Sequence, residues 1–142
     1  MGKKIKHQQD AYAISSLLRS LCVGIDVMVT IEKVQAMPGS DGKGGRQSMG
    51  ATSAFNFGLG FGMWLGILAA LEIPHQQVHP ATWKAAVMRD STKDKDASRV
   101  KAMQMYPKTA KDLTRKKDHG RADALLMAVW AMRVSTRSLG EF

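Results

Sequence analysis

Residues 54–71, AFNFGLGFGMWLGILAAL, contain no charged side chain. A run this apolar must be covered by something, and that demand constrains the fold more than any other feature of the chain. The run includes Asn56 and four glycines. It therefore falls short of the ~20 strongly apolar residues that a membrane span needs. Its small residues recur at Ala54, Gly58, Gly62, Gly66 and Ala70, on one face of a helix. Ladders of small residues occur in membrane dimers, and they also let a helix lie close to a sheet or a partner helix in a water-soluble protein. The expectation is a buried helix of a soluble protein, with no membrane, whose ladder packs at close range in or under a dimer interface.

The rest of the chain explains that choice. Hydrophobic residues make up 44% of the 142, enough for one domain, residues 1–142, with its own core. Lys and Arg number 21 against 12 Asp and Glu, a formal net charge of +9. Such an excess favours a polyanionic partner, most often nucleic acid. The single cysteine, Cys22, rules out an internal disulfide framework and suits a reducing compartment. The N-terminal MGKKIKHQQD has no apolar core of a signal peptide. These features point to the cytoplasm.

Along the chain, apolar residues at helical spacing in DAYAISSLLRSL predict a helix capped by Asp10. The β-branched IDVMVTIE predicts a buried strand. KVQAMPGSDGKGGRQSMG is a loop, followed by the ladder helix, which ends before Pro74. HQQVHP suggests a short second strand and ATWKAAVM a short helix. After the charged loop RDSTKDKDASR, a helix runs to Pro107, and a last one runs from about Gly120 to Arg133. Strands alternating with helices indicate an α/β fold with a parallel sheet, although two strands are few for a sheet.

Chemistry concentrates in three acids. Glu32 ends a buried strand, where α/β folds place their sites, although a strand-end glutamate in solvent reads the same way. Asp118 stands before the apolar helix, where a carboxylate suits free N–H groups and the helix dipole. Asp123 fits that account poorly, because Ala122 and Ala124 flank it and the apolar run begins at once. Carboxylates in such a cluster can hold a pair of metal ions that cleaves a phosphodiester. Asp26 cannot join Glu32 there: six residues of extended strand separate them by roughly 20 Å. GSDGKGG lacks the spacing and the Ser/Thr of a nucleotide-binding P-loop, yet Lys43 and Arg46 make it basic enough to approach a nucleic-acid backbone. His75 and His79 lie between prolines, so they are not a helical zinc pair. Lys84, Lys93, Lys95, Arg99 and Lys101 form a basic tract that reads as phosphate contacts.

VTIEKVQAMPG, SAFNFGLGFGMWLGIL, VHPATWKAAV, DKDASR and KKDHGRADALLMAVW occur in this order. Together they resemble the RuvC-like Holliday junction resolvases of bacteria, phages and plant chloroplasts, over about residues 3–133. The resemblance implies an RNase H-like fold, a homodimer, and Mg²⁺-dependent (or Mn²⁺-dependent) nicking of opposed strands at a four-way DNA junction. It makes Glu32, Asp118 and Asp123 the catalytic acids and metal ligands. His119 is an alternative ligand to Asp118, since the last two acids are five residues apart, the spacing of the chloroplast-like branch. Lys84 would touch DNA, as would Lys33 of the IEK motif. A bacterial or phage source is expected. The family's first strand carries an aspartate in a GIDPG-like turn, which has no counterpart here. The expectation is therefore an N-terminally truncated sheet flanked by helices, and a chain that binds junctions but cuts them poorly or not at all.

Overall fold

A computed structural model of the protein describes residues 9–33, 50–92, 94 and 96–139, without the side chains of 137–139. The chain divides into two compact units: Met1–Val29 with Val34–Gln76, and Thr30–Lys33 with Gln77–Phe142.

The first unit holds two helices. In α1, Ala11–Cys22, the Asp10 carboxylate accepts a hydrogen bond from the Ala13 amide at 3.0 Å, which satisfies one of the free N–H groups at the helix start. Gly24, at φ +86°, takes the chain out of the helix through a backbone conformation that glycine adopts without strain. Helix α2, Ala51–Ala70, is the ladder helix and starts three residues before the apolar run at 54–71. Leu68 and, just beyond the helix, Ile73 are buried. The expectation of a buried α2 does not hold: Leu68 is the one residue of the helix that is buried among the described residues. By length and composition α2 could also cross a membrane, with a mean hydropathy of 1.4. Nor do the glycines of its ladder pack at close range among the described residues. A methyl group added at Gly58, Gly62 or Gly66 would meet nothing within 4 Å. The reason is that α2 is apolar on all sides while, among the described residues, α1 is the main element packed against it.

Strand β1, Val29–Glu32, pairs with β2, His75–Val78. The Val29 amide donates to the Pro74 carbonyl at 2.9 Å and the Lys33 amide to the Val78 carbonyl at 2.8 Å. Both bonds step the same way along the two strands, so the pair is parallel, and the intervening α2 supplies the long connection that parallel strands require. The first bond lies within the first unit and the second within the second. The expected strand at residues 25–32 is shortened to its β-branched end, and Asp26 lies in the segment before it.

The second unit contains α3, Pro80–Val87, α4, Ala97–Met105, and α5, His119–Leu139, with 3₁₀ segments at Pro107–Asp112 and Lys116–Asp118. Pro80 opens α3 at a position where its missing N–H costs nothing. Helix α5 begins one residue before the expected start and continues six beyond the expected end. Its Ala122, Leu126 and Val129 form a buried stripe at helical spacing. Ala122 and Leu126 share a core with Val78, Trp83, Val87, Ala102 and Leu113. Trp83 and Leu126 are completely enclosed. Leu125 and Trp130 pack against this core and are partly buried.

Candidate functional site

The site expected from the sequence falls within the second unit. Glu32 ends β1, half-buried, and its Oε2 accepts a hydrogen bond from the indole Nε1 of Trp83 at 2.9 Å. Because Trp83 is fully enclosed, its ring is held by packing and its single N–H fixes where the carboxylate points. Glu32 Oε1 has no partner among the described residues. The next residue on α3, Lys84, places its Nζ 5.2 Å from the centre of the Trp83 ring, a cation–π distance. Lys84 and Lys33 are both exposed.

Asp118 sits one turn before Ala122 and so continues the apolar stripe of α5. It is 3% exposed, the one buried polar or charged side chain among the described residues. A carboxylate there needs partners, and Arg115 supplies three. Its backbone amide donates to Oδ2 at 3.0 Å, its Nε to Oδ2 at 3.1 Å and its Nη2 to Oδ1 at 2.8 Å. In return the Arg115 carbonyl accepts from the Asp118 amide at 2.9 Å. Arg121 lies 4.0 Å from Oδ1. The Arg115 guanidinium pulls the Asp118 carboxyl down to about 2 by its hydrogen bonds, against the opposing effect of burial. The same pair holds Arg115 still more firmly protonated.

His119 is exposed and its Nδ1 donates to the Lys116 carbonyl at 3.1 Å, leaving Nε2 outward. Asp123 is half-buried, and its Oδ1 is enclosed with no hydrogen-bond partner among the described residues. Arg99 is only 12% exposed and pairs with Asp96 at 3.6 Å, which leaves little of it to meet a polyanion. Lys43, Arg46, Lys93 and Lys95 lie outside the described residues.

Among the described residues, no three His, Cys, Asp or Glu side chains come together to hold a metal ion. Asp118 is committed to Arg115, Glu32 to Trp83 through one oxygen, and Asp123 alone has a buried oxygen in want of a partner. In this arrangement the three acids do not fit one metal centre. Arg115 and Trp83 were not singled out from the sequence. Arg115 could have been: a cation three residues before an acid, at the mouth of a helix, is a local pairing distance. Nothing in the sequence marks Trp83 as the donor to Glu32, since the two are 51 residues apart.

The carboxylate at a parallel strand's end, beside exposed cations, is the setting in which the likeness to known proteins has meaning. No protein-family model matches the chain. Over 71 residues, 50% of the chain, it is 39% identical to the chloroplastic Holliday junction resolvase of Chlamydomonas reinhardtii. Half of the chain is thus similar to a protein named as a resolvase. The matched residues span 8% of that resolvase's length. The mixed fold, a small parallel sheet with helices, is compatible with the α/β class expected.

Proposed function

We propose that this chain is the junction-binding part of a Holliday junction resolvase-like nuclease, with an RNase H-like fold and a homodimeric assembly. The observation that carries the reading is the 39% identity over half of the chain to a protein named as a Holliday junction resolvase. The geometry adds two exposed cations, Lys33, next in the chain to Glu32, and Lys84, over the Trp83 ring that holds the Glu32 carboxylate. A strand's phosphates would meet those lysines, and the formal charge of +9 would draw DNA in. Cutting belongs to the same reading and would require Mg²⁺ or Mn²⁺. No step of the cutting is assigned to Glu32, Asp118 and Asp123, and binding is the activity proposed for this chain. Its compartment is then one that holds DNA: the cytoplasm expected from a bacterial or phage source, or the plastid of the matched relative.

The test is a labelled four-way junction and a linear duplex of the same length, titrated with the protein at several salt concentrations. A tighter complex with the junction, weakening steeply with salt, is the expected result. Equal affinity for both substrates would refute junction recognition. Mg²⁺ or Mn²⁺ is then added, with Glu32→Gln as control. Paired symmetric nicks that vanish in the control would restore the acids to a catalytic role and refute the binding-only assignment.

A further inference from the structure

A cleft of about 540 Å³ opens at the far end of the second unit, between the last turns of α3 and α4 and the second half of α5. Its volume is in the range of sites that hold small molecules. Its apolar lining is the buried Val87 with Ala86 and Met105. The rim carries Arg89, Lys101 and Arg133, one from each of three segments, against a single carboxylate, Asp90. Among the described residues none of the three cations is held in an ion pair. Three cations without an ion-pair partner among the described residues, brought together by the turn after α3, by α4 and by α5, repel one another, and an anion between them relieves that repulsion. The planar forks of two arginines suit the oxygens of a phosphate.

We propose that this cleft is a second phosphate-binding site, taking a nucleotide phosphate on its basic rim with the sugar or base over the apolar lining. Its distance from the start of α5 follows from the helix itself. Asp118 stands at the start of the helix and Arg133 lies fourteen residues along it from His119, about 21 Å at 1.5 Å per residue. Six base pairs of duplex cover about 20 Å at 3.4 Å each. A DNA arm leaving the neighbourhood of Asp118 along α5 would bring a backbone phosphate to the cleft. In that form the inference rests on the junction-binding reading. A free nucleotide phosphate offers the same chemistry.

The experiment uses the full chain and the double variant Arg89→Ala, Arg133→Ala, both exposed positions outside the core. Two probes are used: inorganic pyrophosphate, followed by calorimetry, and junctions with arms of four or twelve base pairs. Pyrophosphate is expected to bind the unaltered protein, and the double variant is expected not to bind it. Asp90→Asn, which removes the opposing carboxylate, is expected to bind it more tightly. With long arms the double variant is expected to bind roughly eightfold more weakly at about 0.1 M salt for each phosphate it no longer neutralises, with a salt slope smaller by about one. With short arms the two proteins should bind alike. Loss of pyrophosphate binding without any arm-length effect would assign the cleft to free nucleotide phosphates. If the unaltered chain binds no DNA yet binds pyrophosphate through these residues, the junction reading fails and the cleft stands. Identical behaviour of the unaltered protein and the double variant toward both probes would overturn the proposal.

Discussion

Asp118 is a carboxylate on the apolar stripe of a helix, and Arg115 makes that position tolerable. The consequence is a dependence on pH with a definite sign. The folded carboxyl sits at about 2, below its ordinary 3.8, so the ionised form is favoured by folding. Its contribution is complete above roughly pH 4 and is lost as the pH falls through about 2. Asp118→Asn keeps the shape and loses the charge. The variant is expected to melt at a lower temperature than the unaltered chain at pH 7, and the gap should close between pH 4 and 2. Thermal unfolding followed by circular dichroism at pH 7, 4, 3 and 2 measures this; a gap independent of pH would mean that the ion pair contributes nothing. The residue types of this site were legible in the sequence, because Glu32, Asp118 and Asp123 are acids at the ends of apolar elements. Their partners were not. Arg115 reaches Asp118 through a local fold-back, and Trp83 reaches Glu32 across the fold, so neither bond can be read from periodicity.

At the scale of elements, α2 and α5 make opposite demands. Helix α5 is held by its buried stripe, and Leu126 is fully enclosed in the core of the second unit. Leu126→Ala is expected to cost about 2–5 kcal/mol, measurable by urea unfolding. In α2, a Cβ at Gly62 meets nothing within 4 Å among the described residues. Gly62→Leu should therefore leave the fold intact and remove only an assembly that uses the ladder face. A folded but monomeric variant by light scattering, against a dimeric unaltered chain, is the expected outcome; a folded variant that is still dimeric would exclude the ladder from the interface. Helix positions were legible from the spacing of apolar residues and from Asp10, Pro74, Pro80 and Pro107 as punctuation. Two features were not. The last helix runs past Arg133 because RVSTRSL contains no Gly or Pro to stop it, although its polar side chains no longer trace an apolar face. The exposure of α2 escaped as well: composition says that an apolar helix wants cover, and it is silent on whether the cover belongs to the same chain.

Taken whole, the molecule combines a formal charge of +9 with large apolar side chains in the open. In the first unit these include Tyr12, Leu17 and Leu21 on α1 and Phe55, Phe57 and Leu59 on α2. At about 0.01 M salt the positive charges of two copies repel one another over ~30 Å, whereas at about 1 M the reach is ~3 Å. Self-association is therefore expected to grow with salt, the opposite trend to DNA binding, and light scattering between those limits would show it. A particle size unchanged at 1 M would mean that the apolar residues of α1 and α2 are not sticky. The exposed face of α2 has a practical counterpart in colloid terms. A chain of formal charge +9 with exposed apolar side chains is a polyelectrolyte carrying an apolar patch, in which like-charge repulsion opposes association. A nucleic acid that neutralises the charge also removes the repulsion, so the complex at charge balance is the point at which it should condense out of solution.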